Sequence, residues 1–194
     1  MNIEPVTLRG ATVRLEPLTI GHATALARVG LEPDLWRWIP TPVTTADEMH
    51  AYVASALDES RRGVSLPFVI IDQASDQVIG CTRYANIDAI DRRVEIGWTW
   101  ITSAFQRTAA NTEAKLLLLS HAFETLRVNR VEFKTDALNE RSRNAVKRIG
   151  AVEEGIFRKH KITASGRVRD SVYFSIIDTE WPAVKARLAK MLRL

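Results

Sequence analysis

The pattern of apolar and polar positions predicts alternating strands and helices along the 194-residue chain. Short apolar runs or strict alternation predict seven strands, at residues 11–18, 66–73, 77–87, 92–101, 129–138, 151–162 and 168–177. Apolar residues at helical spacing predict helices at residues 20–30, 34–39, 46–62, 112–127, 139–149 and 180–194. No internal repeat, low-complexity run or linker interrupts this order, so the sequence predicts one mixed α/β domain over residues 1–194.

Polar residues mark the ends of two of these helices. Thr45 and Glu48 have the spacing of a capping box at the start of the helix at 46–62. Asn139 is a favoured N-cap residue, and Gly150 is a favoured stop at the C-terminal end of the same helix. These signals support the helix assignments independently of the apolar pattern.

The most informative segment is the loop QRTAANTEAK at residues 106–115, between the strand VEIGWTWI and an apolar helix. A loop from a strand into a helix N-terminus is a common anion site, because unpaired amides and the helix dipole favour phosphate there. This loop contains no glycine, the residue that permits positive φ and close approach of a ligand. The segment still predicts phosphate binding, with a simple helix cap at Asn111 or Thr112 as the alternative.

Composition indicates a globular protein that has no membrane segment. The chain is 46% hydrophobic and 26% charged, as in ordinary globular domains. Its N-terminus lacks the features of a signal peptide, and no stretch reaches about 18 apolar residues. We therefore expect a cytoplasmic protein without a membrane partner. The net charge of +4 permits a phosphorylated ligand, but no basic segment is interleaved with aromatic residues as on nucleic-acid-binding surfaces.

Cysteine and histidine usage argues against a disulfide or a metal site. The single cysteine, Cys81, excludes an internal disulfide and lies in a predicted buried strand, where a small core role is expected. The four histidines lack the spacing of metal ligands: they are His22, His50, His121 and His160. We therefore expect no bound metal.

Five motifs follow one another in a characteristic order: EIGW, the loop into NTEAK, NERS, GAVEEG and GRVRD. Together with the order of elements, they resemble the GNAT acetyltransferase superfamily, and within it the branch that includes ribosomal-protein alanine N-acetyltransferases. The resemblance covers almost the whole chain, with the motifs concentrated in residues 94–181. It implies a mostly antiparallel seven-stranded sheet with helices on both faces. Acceptor-side elements would occupy roughly residues 1–65, an acetyl-CoA-binding core 66–160, and C-terminal strands and a helix 161–194.

The resemblance implies acetyl-CoA as donor, an amine as acceptor, and direct transfer between them. The family pattern Gln/Arg-x-x-Gly-x-Gly/Ala falls on residues 106–111, where Ala109 and Asn111 replace the small residues. Loop amides are then expected to hold the pyrophosphate, with a charge-assisted contact from Arg107. A bulge in the strand at 92–101 is expected to present backbone groups to the pantetheine arm. The implied donor contacts are Thr99, Trp100, Ile101, Gln106, Arg107, Thr108, Ala109, Ala110, Asn111, Thr112, Asn139 and Ser142.

Glu95 is the candidate general base. In an extended strand it shares a face with the small Gly97 and Thr99, whereas the bulky Trp98 and Trp100 are expected to face the core. An amine is largely protonated at neutral pH, so its attack on a thioester needs a proton acceptor. The resemblance matches this glutamate to a residue that acts as base in some family members. The alternative is an ion pair with a neighbouring arginine.

Ser142 lies three residues after Asn139, on the first turn of the predicted helix. The resemblance places the residue at this position near the CoA sulfur, so Ser142 is expected to stabilise the departing thiolate while water supplies the proton. Many family members use a tyrosine slightly further along, where this chain reads NAVKRIG. The alternative for Ser142 is a solvated residue at the start of a helix.

Trp36 and Trp38 are the candidates for contact with the acceptor. The resemblance places this early region at one wall of the acceptor cleft, and aromatic walls suit a substrate pocket. The alternative for both is core packing. Asp170, in the motif GRVRD, either faces the acceptor amine or pairs with Arg167 or Arg169.

The sequence therefore predicts an acetyl-CoA-dependent N-acetyltransferase that acts on a primary amine, such as a protein N-terminus. A small amine, either an antibiotic or a polyamine, is the alternative acceptor. A non-catalytic CoA-binding module of the same fold is the second alternative, because the loop lacks its glycines. The long final strands and the apolar terminal helix are compatible with a homodimer.

Overall fold

One mixed sheet forms the centre of the structure, a computed structural model that describes residues 1, 3–39 and 41–193. The eight strands within these residues have the order β1-β2-β3-β4-β5-β6-β8-β7. Only β5 and β6 are parallel, and all other neighbours are antiparallel. The strands are β1 (Leu8–Arg9), β2 (Val13–Pro17), β3 (Ser65–Asp72), β4 (Val78–Asp88), β5 (Arg93–Ile101), β6 (Arg130–Asp136), β7 (Val152–Ile162) and β8 (Val168–Ile177).

The predicted fold class is confirmed, and all seven predicted strands are present. The eighth strand, β1, has only two residues, too few to produce a periodic pattern. The helices of the described residues are α1 (Ala23–Gly30), α2 (Pro33–Trp36), α3 (Ala46–Arg61), α4 (Ala109–Ser120), α5 (Glu140–Ile149) and α6 (Trp181–Leu192). The capping box at Thr45, the N-cap at Asn139 and the left-handed stop at Gly150 all occur as predicted.

Two buried clusters lie on opposite faces of the sheet. The main cluster joins α4 and α6 to alternate strand residues such as Val131 and Val172. The second joins α1 and α3 to residues of the other parity, including Val69 and Ile71. Since α1 and α3 pack over β3 and β4, they leave the same face of β6 and β8 with polar side chains. We call these side chains the polar face: Glu132, Lys134, Asp136, Arg169, Ser171 and Tyr173.

Helix α4 begins three residues earlier than predicted. Thr108 is extended, and its hydroxyl accepts a hydrogen bond from Ala110 N–H at 3.2 Å, so Thr108 is the N-cap. The expected cap at Asn111 or Thr112 is therefore wrong. Two alanines follow Thr108 directly, and alanine is the best helix former. After Ser120 the helix continues as one π-helical turn over His121–Thr125.

Glu113 ties α4 to the turn between β1 and β2. Its buried carboxylate accepts hydrogen bonds from the backbone N–H groups of Ala11, Thr12 and Val13 at 2.9, 2.6 and 2.7 Å. Gly10 lies so close that a Cβ atom there would be 2.4 Å from Glu113 Cδ. Glycine is therefore required at position 10 for the close approach.

Lys115 is buried on the same helix, and no carboxylate among the described residues pairs with it. Its Nζ donates a hydrogen bond to Thr99 Oγ1 at 2.8 Å, and that hydroxyl lies 2.7 Å from Thr82 Oγ1. Burial lowers the pKa of Lys115 from 10.5 to about 7. A substantial fraction of this amine is therefore uncharged at neutral pH.

Glu113→Ala is expected to lower the free energy of unfolding by about 2–4 kcal/mol, because three backbone N–H groups lose their acceptor. Urea unfolding followed by tryptophan fluorescence measures the change. Asp91→Ala is a suitable control, since its side chain is 69% exposed, and we expect an effect within about 0.5 kcal/mol. Equal effects of the two substitutions would contradict the anchoring role.

Lys115→Met is expected to stabilise the protein most at or below neutral pH, with an advantage that shrinks as the pH rises. Between the folded pKa of about 7 and the ordinary 10.5, the unfolded wild type binds a proton that the folded wild type lacks. Wild-type stability therefore rises with pH in this window, by about 1.4 kcal/mol per pH unit relative to the variant. Urea unfolding of both proteins at about pH 6.5 and about pH 9.5 measures the difference. A constant difference would sink this assignment.

Candidate functional site

Strands β5 and β6 pair only at their first residues. Pairing begins at Arg93 with Arg130 and ends at Glu95 with Glu132. Beyond this point β6 continues beside β8, while the backbone of residues 97–101 in β5 has no partner on the β6 side. The two parallel strands therefore enclose a wedge that is open at one end and closed at Glu95.

A bulge in β5 lies inside this wedge. Trp98 has a φ of 49°, and the register against β4 shifts between Cys81 and Arg83. The predicted bulge is therefore present. An inserted residue breaks the ladder and re-aims nearby backbone groups, so N–H and C=O groups of Trp98 to Trp100 are available to a molecule within the wedge.

The bulge also changes which side chains share a face. Ile96 belongs to the main cluster, whereas Trp100 belongs to the second cluster, with its ring 5.6 Å from that of Trp36. The Trp98 ring lies 5.1 Å from the guanidinium of Arg83 on the α3 side. The prediction that Trp98 and Trp100 share a face with Ile96 is wrong, because one extra residue inverts the alternation.

Glu95 lies at the closed end of the wedge and is 2% exposed. Its Oε2 accepts hydrogen bonds from Asn86 Nδ2 at 2.7 Å and from Lys134 Nζ at 2.9 Å. Its ion-pair partner is therefore Lys134, whereas Arg93 pairs with Asp88 at 2.9 Å. A carboxylate in this position can accept a proton from a group that enters over the polar face.

In the glycine-free loop, the residue with a positive φ is not one of the two at which the family pattern has small residues. Arg107 has a φ of 62°, whereas Ala109, Ala110 and Asn111 lie in the first turn of α4. No left-handed residue is therefore needed at the two positions where the family pattern has small residues. First-turn amides have no acceptor within their own helix, so this turn can present N–H groups to phosphate.

Two arginines of α5 donate hydrogen bonds to side chains just before and within the first turns of α4. Arg141 Nη2 donates to Gln106 Oε1 at 2.6 Å, and Arg148 Nη2 donates to Thr112 Oγ1 at 3.0 Å. Gln106 also donates from Nε2 to the carbonyl of Ile101 at 2.8 Å. Arg141 was not among the predicted site residues, although its spacing of seven residues from Arg148 places both on one helix face. These contacts bring positive charge to the first turn of α4.

Ser142 and Asn139 lie on the first turn of α5. The Ser142 N–H donates to Asn139 Oδ1 at 3.0 Å, which confirms the structural role of Asn139 as the cap. The Ser142 side chain is half-buried, and its hydroxyl makes no hydrogen bond within the described part of the chain. The hydroxyl is thus free to contact a ligand.

The two candidate acceptor tryptophans have different environments. Trp36 is 2% exposed, and its Nε1 donates to the carbonyl of Gly30 at 2.6 Å, so it is a core residue and not a pocket wall. Packing against Trp100 and Tyr52 explains this position. Trp38 is half-buried, and its ring lies 5.9 Å from the guanidinium of Arg167. Only Trp38 borders the polar face.

A cleft of about 500 Å³ opens over the polar face beside Glu95. Arg130 bridges Glu132 at 2.9 Å and Glu154 at 2.7 Å, and Phe157 stacks on Tyr173 with ring centroids 4.3 Å apart. This cleft was not predicted from the sequence, because its residues come from five strands. Their alternation with apolar residues was visible, but only the sheet topology brings them together. The side chains that line the cleft include Glu95, Arg130, Glu132, Glu154, Phe157 and Tyr173.

Two other candidate groups, Cys81 and Asp170, take no part in this site. Cys81 is buried, and burial raises the pKa of its thiol to about 11, which disfavours the nucleophilic thiolate. Asp170 accepts a hydrogen bond from the Lys159 N–H at 2.6 Å and pairs with neither arginine.

Within the described residues, no cluster of three or more His, Cys, Asp or Glu has metal-binding geometry. Nor does any described helix combine the length and apolarity needed to cross a membrane.

Comparison with known sequences identifies the family. The profile of the acetyltransferase (GNAT) domain matches residues 12–152. A protein of Bacillus subtilis (strain 168), provisionally named ribosomal N-acetyltransferase YdaF, is 38% identical over 100 residues, covering 52% of this chain and 54% of that protein. The match thus spans about half the length of this relative.

Solved structures agree with the sequence comparison. A GCN5-related N-acetyltransferase from Brucella melitensis is 34% identical with a TM-score of 0.90, covering 98% of this chain and 86% of that chain. RimJ of Mycobacterium smegmatis, solved in complex with CoA-disulfide, is 25% identical with a TM-score of 0.81, covering 97% of this chain and 94% of that chain. The chain therefore belongs to the GNAT acetyltransferase family, within which its relatives support the RimJ/RimL-like branch.

Proposed function

We propose that this protein transfers the acetyl group of acetyl-CoA directly to a primary amine, with Glu95 as the proton acceptor. The position of Glu95 carries the proposal: it lies at the closed end of the wedge, buried and paired with Lys134. The polar cleft opens on one side of this carboxylate and the wedge on the other. An amine and a thioester can therefore approach it from different directions.

The described residues fit acetyl-CoA as the donor. The first turn of α4 offers amides to the pyrophosphate, and Arg107, Arg141 and Arg148 surround that turn with positive charge. The backbone at the β5 bulge, over Thr99, Trp100 and Ile101, offers donors and acceptors to the amides of the pantetheine arm. Asn139 and Ser142 would border the same arm from α5.

Each chemical step then has an assigned residue. Glu95 takes a proton from the acceptor ammonium, directly or through water. The neutral amine attacks the thioester carbonyl, the new C–N bond forms, the nitrogen loses its second proton to water, and the C–S bond breaks. Ser142 donates a hydrogen bond to the departing thiolate, which then takes its proton from water.

A protein N-terminus is the acceptor that we favour. The relatives named ribosomal N-acetyltransferase YdaF and RimJ support this choice. A polyamine would need free carboxylates in the cleft, but Arg130 already pairs with both Glu132 and Glu154. Because these two carboxylates are already paired, the cleft is poorly suited to a polycationic acceptor.

Arg107→Gly is expected to weaken acetyl-CoA binding about 10-fold, because a charge-assisted phosphate contact is lost. The thermal stability of the apo protein should not fall, since glycine accommodates a φ of 62° without strain. Isothermal titration calorimetry measures the affinity. Arg127→Gly, at another exposed arginine with a φ of 56°, is the matched control and should bind like the wild type. Absence of acetyl-CoA binding by the wild type would overturn the donor assignment.

Glu95→Gln is expected to lower kcat/KM by about 10²- to 10⁴-fold while leaving acetyl-CoA affinity unchanged, because the proton acceptor is lost. CoA release is measured with peptides of free N-terminus, a polyamine and an aminoglycoside. Glu124→Gln, at a glutamate that pairs with Lys185 outside the cleft and the wedge, should retain most activity and serves as the control. Wild-type rates in Glu95→Gln would exclude Glu95 as the base. Tight binding of acetyl-CoA without release on any amine would favour the non-catalytic alternative.

A further inference from the structure

Arg169 is a buried cation without a hydrogen-bond acceptor. It lies on β8 within the polar face, and its side chain is 6% exposed. The described part of the chain provides no acceptor for its guanidinium, and its Nε is fully buried without a partner. The nearest carboxylate oxygen, Oδ2 of Asp136, lies 3.7 Å away, which is too long for a hydrogen bond.

Asp136 is already engaged elsewhere. Its carboxylate is 1% exposed and accepts hydrogen bonds from Arg167 Nη2 and from the Leu138 N–H, the latter at 3.0 Å. One carboxylate therefore lies beside two guanidiniums, and it accepts a hydrogen bond from only one of them, that of Arg167. A buried charge in such a state is costly unless a further acceptor reaches it.

Two neighbouring polar groups share this lack of partners. Ser171 Oγ and His160 Nδ1 are buried and make no hydrogen bond with described residues. Ser171 follows Arg169 on the same face of β8, and the His160 ring packs 5.7 Å from that of Tyr173. Buried polar groups are rarely unpaired, so three of them on one hairpin point to a polar ligand.

The charges around Arg169 are also unequal in number. Three cations, Lys134, Arg167 and Arg169, face two carboxylates, Glu95 and Asp136. Glu95 belongs to the same electrostatic neighbourhood, because its charge acts on the pKa of Arg169, which burial lowers. The group therefore has one positive charge in excess and would be neutralised by one anion.

We propose that Arg169 is a specificity-determining residue that binds a carboxylate of the acceptor while the acceptor amine faces Glu95. This inference rests on the proposed acetyl transfer. Glu95 and Arg169 lie on β5 and β8 with β6 between them, a lateral separation of two strand spacings of about 4.8 Å each. Arg169 is also displaced along β8 from the level of Glu95, because Glu132, the partner of Glu95, pairs with Ser175. The carboxylate is therefore several bonds from the amine, as at the C-terminus of a dipeptide or in the side chain of the second residue of a longer peptide.

Two matched pairs of acceptors test the proposal and separate these sources. The first pair is the dipeptide Ala-Ala and its C-terminal amide. The second is a longer peptide that begins Ala-Glu and the same peptide with Ala-Gln. For the wild type, kcat/KM for the carboxylate member of at least one pair should exceed that of the neutral member about 10-fold or more.

Arg169→Gln should abolish this preference through a rise in KM for the carboxylate member, with the neutral member and acetyl-CoA affinity little changed. Arg169→Lys, which keeps the charge, should retain part of the preference. Arg158→Gln, at an exposed arginine of the same hairpin, is the control and should retain all of it. A purely structural role of Arg169 would change both members of each pair equally.

Two results would overturn the proposal: equal use of both members in both pairs by the wild type, or a preference that survives in Arg169→Gln. Failure of the proposed function is a separate outcome, since it would appear as no CoA release with any amine. A release without carboxylate preference would leave the transferase intact and remove the assigned role of Arg169.

Discussion

The early end of pairing between β5 and β6 is the constraint on which the rest of the site depends. Parallel strands normally continue their ladder. Here β6 stays paired with β8 on its other edge, while β5 bulges at Trp98 and separates from β6. The result is a half-buried stretch of backbone at residues 97–99 that has no partner on the β6 side. Such groups are tolerated where a ligand completes their hydrogen bonds. Glu95 lies at the last paired position, so its buried carboxylate is adjacent to the point where the two strands separate.

Periodicity was sufficient for most of the fold because most of its elements have one buried and one exposed face. The seven longer strands and the caps at Thr45 and Asn139 follow from local chemistry. The errors have specific physical causes. The N-cap of α4 is Thr108 and not Asn111, because the two alanines after Thr108 extend the helix toward it. The bulge at Trp98 inverts the alternation of side chains in β5. Neither effect has a signature in a pattern that assumes regular geometry.

The candidate site was predictable only where it is local in sequence. The loop, Glu95 and Ser142 lie in motifs that the resemblance identifies, and the structure places them on elements that can cooperate. Trp36 shows the limit, since a tryptophan in a short helix reads equally as wall or core until its neighbours are known. Arg169 shows the opposite limit, because an arginine on a strand reveals nothing unusual until its lack of partners is visible.

The contact between Gly10 and Glu113 couples the turn between β1 and β2 to helix α4, and this has an evolutionary consequence. Glu113 lies on α4, the helix whose first turn we propose as the phosphate site, yet it accepts its hydrogen bonds from backbone N–H groups of residues 11–13. A side chain at position 10 would displace that carboxylate, and any change at position 113 would remove the reason for glycine. These two positions, far apart in sequence, are therefore expected to covary among homologues.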